Sequence, residues 1–205
     1  MAFQYKHFKN AELREAMKGA SANIAGFARG NKVSHILIAG RSGWVARLCV
    51  AEAWKRLHPD EPRPKIYSLQ NALTEAKWND AKLKRILKPV ADSKPKGVML
   101  LDEAIYSGNT LEGGRQRILK ALEGTGRAPR IYTVALLGNP KDFENPPDAI
   151  GGEWADSFGA HYLRLSEMIR NHRETGSPSN QELKQRLKQI ASEIKQMASE
   201  IKPRK

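Results

Sequence analysis

The sequence predicts an α/β protein whose mainly parallel sheet is flanked by helices, with an amphipathic helix at the C-terminus. Two observations carry this. Short apolar runs of strand length, at 33–39, 65–69, 97–101 and 130–137, alternate with stretches of helical spacing. Glycine-bearing turns join strand to helix after the first and third of these runs. Alternation of this kind implies βαβ units, and parallel sheets bind ligands beyond the carboxyl ends of their strands.

In chain order, 11–29 is expected to be helical, with Leu13, Met17, Ile24 and Phe27 near helical spacing and Gly30-Asn31 ending it. The strand 33–39 (VSHILIA) runs into the turn 40–44 (GRSGW), and 45–57 returns to helical spacing. After the proline-rich break 59–64 comes a strand at 65–69, and then a helix is expected over 71–87. The segment 63–96 is basic, with nine Lys/Arg against three Asp/Glu. The strand 97–101 ends at Asp102-Glu103, a helix is read over 110–122, and a strand over 130–137. The stretch 138–159, rich in Pro, Gly and Asn, is expected to be irregular.

The 205 residues divide by composition into an α/β domain over 1–172, a linker over 173–180 and a helical tail over 181–205. No run approaches the roughly 18–20 apolar residues of a membrane helix, and the N-terminus lacks an apolar signal core. A cytoplasmic protein is expected. Cys49, the only cysteine, excludes an internal disulfide and a multi-cysteine metal site. It lies in an apolar run and reads as a small core residue. The formal net charge of +13 points to an anionic partner, whether phosphates on a small molecule or a nucleic acid; a basic surface that only aids solubility would give the same number.

The segment 97–110, GVMLLDEAIYSGNT, carries the chemistry. A strand delivers Asp102 and Glu103 to its end. A turn of small polar residues follows, then a helix. Backbone N–H groups over 107–110 suit a phosphate at the helix N-terminus, and Ser107 and Thr110 add hydroxyls. Gly108 permits close approach or a positive φ. Carboxylates bind phosphate poorly but accept vicinal ribose hydroxyls well, so the combination describes a phosphosugar site. A strand–loop–helix joint with ordinary capping residues would also use these residue types.

This segment resembles the phosphoribosyl pyrophosphate loop of the type I phosphoribosyltransferases: apolar residues, two acids, three variable residues, then Ser/Thr-Gly-x-Thr. The likeness extends over roughly 33–137. It implies that Asp102 and Glu103 hold the ribose hydroxyls and act in catalysis. It implies that Ser107, Gly108, Asn109 and Thr110 cradle the 5′-phosphate, and that Mg²⁺ arrives mainly on the pyrophosphate. The turn 40–44 becomes the pyrophosphate loop, with Arg41, Ser42 and Gly43 as its binding residues, although a glycine turn there is equally ordinary packing. Tyr106 departs from the Asp that many purine-using members carry, and pyrimidine attenuation regulators that also bind RNA are among the members without that Asp.

The stretch PDAIGGEWADSFG loosely resembles the end of the hypoxanthine-guanine enzymes, which would place Trp154 and Asp156 at the base. The base-reading Lys of that group is replaced by Gly138-Asn139. Lys77, Lys82, Lys84 and Arg85, in the covering segment 70–96, are candidates to stabilise departing pyrophosphate, or a solvated helix face; Trp78 reads as a packing anchor.

The leading expectation is an enzyme that transfers 5-phosphoribosyl to a nitrogenous base with release of pyrophosphate. The alternative is a non-catalytic sensor of phosphoribosyl pyrophosphate or a nucleotide that binds nucleic acid. A third reading, from AGRSGWVA, is a phosphosugar isomerase-like protein. Nucleic-acid binding is expected to be weak and salt-steep. The tail places Leu183, Leu187, Ile190, Ile194, Met197 and Ile201 at spacings of 4, 3, 4, 3 and 4, a heptad stripe. It is expected to seat on a second copy and give a homodimer, though packing on its own domain would use the same stripe.

Overall fold

The three central strands follow from apolar runs that are buried on both faces. β1 (Val33–Ile38), β2 (Lys65–Ser68), β5 (Gly97–Ile105), β6 (Arg130–Gly138) and β7 (Ala149–Glu153) form one sheet in the order β2-β1-β5-β6-β7, every pair parallel. The structure is a computed structural model and describes residues 3–39, 43–69, 73–74, 77–78, 80–105, 108–124, 129–153, 155, 158 and 180–202.

Helices cover both faces. α1 (Ala11–Gly30) and α2 (Trp44–Leu57) pack on one side, where Ile24, Val50 and Trp54 meet Ile36, Met99, Leu101 and Val134. α3 (Asp80–Asp92) and α4 (Asn109–Leu122) pack on the other, where Leu83, Leu87 and Ile118 meet Leu37, Val98, Leu100 and Ala135. Alternate residues of β5 thus feed opposite layers, as a period of two demands. The order in which successive strands join the sheet reverses between β1 and β5: β2 is added on one side of β1, and β5, β6 and β7 on the other. α2 leaves β1 on one face and α4 leaves β5 on the other, which opens a crevice at the carboxyl ends of these two strands.

Two expectations are corrected. The helix expected over 71–87 begins only at Asp80. Before it, β3 (Leu73–Thr74) and β4 (Lys77–Trp78) form a short antiparallel ladder. The buried period Leu83, Leu87, Val90 starts inside α3, and Asp80 in its first turn suits the positive end of the helix dipole. The helix then runs on through Pro89, which lies on its exposed side. The stretch expected to be irregular over 138–159 contains a 3-10 turn at Pro140–Asp142 and β7.

The tail forms α5 (Asn180–Ser199), which docks on α2 and α1 of its own chain. Ile190, Ile194, Met197 and Ile201 are buried in the same core as Met17 and Cys49; Leu187 packs at its edge, and the Leu183 side chain lies outside the described residues. The expected seating on a second copy is therefore not where the described stripe goes. It covers α1 and α2 at home, and the apolar surface that motivated a tail-built dimer is already buried. Glu193, fully buried, binds this helix to the N-terminal segment: its carboxylate accepts the backbone N–H groups of Lys6, His7 and Phe8 at 3.0–3.2 Å. At the far end Lys18 pairs with Glu200 at 2.8 Å, and Tyr5 donates to Glu200 at 3.0 Å. Residues 173–179 of the expected linker lie outside the described residues.

Candidate functional site

The β1 ladder on β5 ends at the pair Ile38 and Leu101, closed by the Ala39 N–H donating to the Leu101 carbonyl at 2.9 Å. β5 itself continues beside β6, pairing Asp102 with Ala135 and Ile105 with Gly138. Asp102 and Glu103 therefore stand just past the end of β1, at the crevice between β1 and β5. The strand read as ending at 101 runs four residues further, which fixes both carboxylates on regular strand geometry.

Alternation separates the two acids. Val98 and Leu100 face the α3/α4 layer and Met99 and Leu101 the α1/α2 layer, so Asp102 leaves the strand toward α4 and Glu103 toward α2. Both are buried, at 9% and 4% exposure. Burial, reinforced by the neighbouring Glu103 charge, pushes the Asp102 carboxyl up to about 7; the Glu103 N–H, donating to Asp102 Oδ1 at 2.8 Å, opposes the shift. Glu103 is felt on the other face, where burial raises the Cys49 thiol to about 12, with the Glu103 charge adding to it. Two carboxyls whose environments push one of them to neutral pH form the pattern of a functional site.

Both helices that open on the crevice begin at glycine without a side-chain cap. α2 starts after Gly43, which is buried and holds right-handed backbone angles. α4 starts after Gly108, at φ 79°, the left-handed region that favours glycine. By contrast α1 is capped by Asn10 Oδ1, which accepts from the Leu13 N–H at 3.1 Å. Uncapped N-termini leave first-turn N–H groups available to an anion.

Asn109 and Thr110 are exposed on the first turn of α4. Asn109 Nδ2 donates to Glu144 Oε2 at 2.8 Å, and Asn145 Nδ2 donates to Asn109 Oδ1. Sequence reading missed Glu144 and Asn145. They lie between the 3-10 turn and β7 in a segment with no periodicity, and only its Asn content marked it. Of the remaining candidates, Arg41, Ser42, Tyr106, Ser107, Trp154 and Asp156 lie outside the described residues. Lys82, Lys84 and Arg85 are exposed on α3.

No protein-family model matches the chain, and no curated protein sequence matches it. Among solved structures, the chain is similar to the Helicobacter pylori xanthine-guanine-hypoxanthine phosphoribosyltransferase, at 16% identity and a TM-score of 0.46, covering 75% of this chain and 93% of that one. A likeness of that degree decides nothing about chemistry. The parallel order of the sheet is read from its own ladders. Among the described residues, no helix is long and apolar enough to cross a membrane.

Proposed function

We propose that the chain binds phosphoribosyl pyrophosphate at the carboxyl ends of β1 and β5 and transfers its 5-phosphoribosyl group to a nitrogenous base. The observation that carries this reading is the left-handed, uncapped Gly108 opening α4 after the buried acids of β5, at the point where the strand order reverses.

On this reading the 5′-phosphate sits at the N-terminus of α4, on Ser107, Gly108, Asn109 and Thr110, and the pyrophosphate sits at the N-terminus of α2, on Arg41, Ser42 and Gly43. The ribose spans between them, with Asp102 and Glu103 on its two sides accepting hydrogen bonds from its hydroxyls. The bond from the anomeric carbon to the pyrophosphate oxygen breaks, and its electron pair leaves with pyrophosphate. The base nitrogen bonds to the opposite face of that carbon and releases its own proton. Mg²⁺ carried on the pyrophosphate would offset the charge of the leaving group. The chain's own part is to fix the ribose between two helix dipoles. Trp154 and Asp156 are proposed at the base.

A second reading is favoured by the exposed cations Lys82, Lys84, Arg85 and Lys88 on α3: a sensor that binds the same ligand and contacts nucleic acid without transfer. Pyrophosphate release, measured with phosphoribosyl pyrophosphate, Mg²⁺ and a panel of purine and pyrimidine bases, separates the two. Release that depends on one base class is the expected result. Ligand binding without release from any base would select the sensor, and absence of ligand binding would remove both.

A further inference from the structure

At the other end of the sheet, the amino ends of β1 and β2 border a cleft of about 460 Å³. Arg29 from α1, Lys32 before β1, and Arg63 and Lys65 at the entry to β2 line it, against one carboxylate, Glu61. Glu61 pairs with Arg29 at 2.7 Å, a contact at 58% and 37% side-chain exposure that a competing anion can replace. The lining is thus three positive charges in excess (four Lys/Arg less one Glu) within a volume typical of small-ligand sites.

The wall carries its own signs of a missing partner. Trp54, 4% exposed, lines the cleft, and its indole Nε1 is buried with no hydrogen-bond partner among the described residues. An indole N–H can only donate, so the partner it lacks is an acceptor, and buried donors left unpaired are rare enough to need an explanation. His35, 3% exposed, stacks on Tyr67. Burial first, and the Lys65 charge second, hold it below the usual histidine range, and its two ring nitrogens lie beside the hydroxyls of Ser34, at 2.9 Å, and Ser93, at 3.4 Å. Its register is displaced by an irregularity in the β1–β5 ladder between Val33 and His35, and Lys32 takes a positive φ of 53° beside it.

We infer that this cleft is a second anion site, which takes a phosphate-bearing small molecule between Arg63, Lys65 and Lys32 with Trp54 Nε1 as a donor. It lies roughly 20 Å from the crevice at the far end of β1, the length of a six-residue strand, and it does not rest on the transfer reaction proposed above. Its occupant is an effector or a second phosphorylated substrate.

The indole N–H resonances of the ¹⁵N-labelled full chain provide the test. The Trp54 signal is assigned with Trp54→Phe, and inorganic phosphate is titrated at ionic strength held constant with chloride. Trp44, the first residue of α2, reports separately on the crevice. The expected result is a saturable shift of the Trp54 signal that weakens roughly tenfold or more in the Arg63→Gln/Lys65→Gln variant, as loss of charge-assisted hydrogen bonds requires. Both replaced residues are exposed, so the variant should melt as the parent does. A Trp54 signal that does not shift saturably, that moves equally with chloride, or that still shifts in the double variant would overturn the inference. So would a single-stranded oligonucleotide that saturates the Trp54 shift at lower concentration than phosphate or a nucleoside monophosphate, because the cleft would then belong to a nucleic-acid surface.

Discussion

Gly108 lies so close beneath the main chain of Asn145 that a β-carbon at position 108 would run into the Asn145 carbonyl. Its φ of 79° already asks for glycine. The contact locks the first turn of α4 to the segment leading into β7, and the side-chain bonds from Asn109 to Glu144 and Asn145 repeat the lock. Gly108→Ala is expected to cost roughly 1–3 kcal/mol from the backbone angle alone, with the clash added. Urea denaturation would read the cost. A neutral substitution would mean that the turn is not held against Asn145.

Asp102 predicts an unusual pH dependence. Its carboxyl is raised from the ordinary carboxylate value to about 7 in the folded chain. Below about pH 4 both folded and unfolded chains hold the proton and no penalty exists. As pH rises toward 7 the unfolded chain ionises first and stability falls; above about 7 the penalty is complete. Asp102→Asn should therefore stabilise the protein near pH 8 by an amount on the order of a few kcal/mol, and by nothing near pH 3. Melting curves of both chains across that range would check it. A stability difference that does not change with pH would contradict the buried, proton-holding carboxyl.

Glu193 predicts a cost at the opposite side of the fold. Glu193→Ala leaves the N–H groups of Lys6, His7 and Phe8 without their acceptor, at about 1–3 kcal/mol for each group kept from water. Glu193→Gln keeps one accepting oxygen and should fall between the two. Hydrogen exchange at these three amides should quicken in the same order. Unchanged exchange would place the N-terminal segment elsewhere.

The tail prediction concerns stability rather than assembly. Ile194 is 1% exposed and shares one small cavity wall with Met17, Ser21 and Cys49. Ile194→Ala should lower stability by about 2–5 kcal/mol, as truncation in a core does, and light scattering should show the same oligomeric state as the parent. An altered oligomeric state with unchanged stability would put the stripe at an interface between copies.

The readable parts of this chain were those whose signal is local. The strands β1, β5 and β6 announce themselves by apolar runs, and the acid pair with its glycine turn by residue type and spacing. β7 gave no such signal. Its sequence AIGGE has two glycines and few strand formers. The glycines are there for space: a β-carbon at 151 would strike the backbone of Leu136 and Ala20, and one at 152 would press on Ala20. That need comes from β6 and from α1, the latter more than a hundred residues away, and no short window around β7 contains it. The ladder of β3 and β4 lies in a stretch that reads as helical and basic, while the apolar period that decides the matter begins after Asp80. The tail stripe was legible as a stripe. What covers it was not, since a helix face records that it must be buried and not against what.

The binding of phosphoribosyl pyrophosphate to the crevice is the claim on which the functional reading stands. Isothermal titration of the full chain with this ligand in the presence of Mg²⁺ tests it most directly, with the Asp102→Asn/Glu103→Gln variant alongside. Saturable binding at one crevice site per chain is expected, lost or weakened roughly tenfold or more in the variant, whose side chains keep their size but lose a carboxylate oxygen each that could accept a ribose hydroxyl. No binding to the parent chain, or equal binding to both, would contradict it.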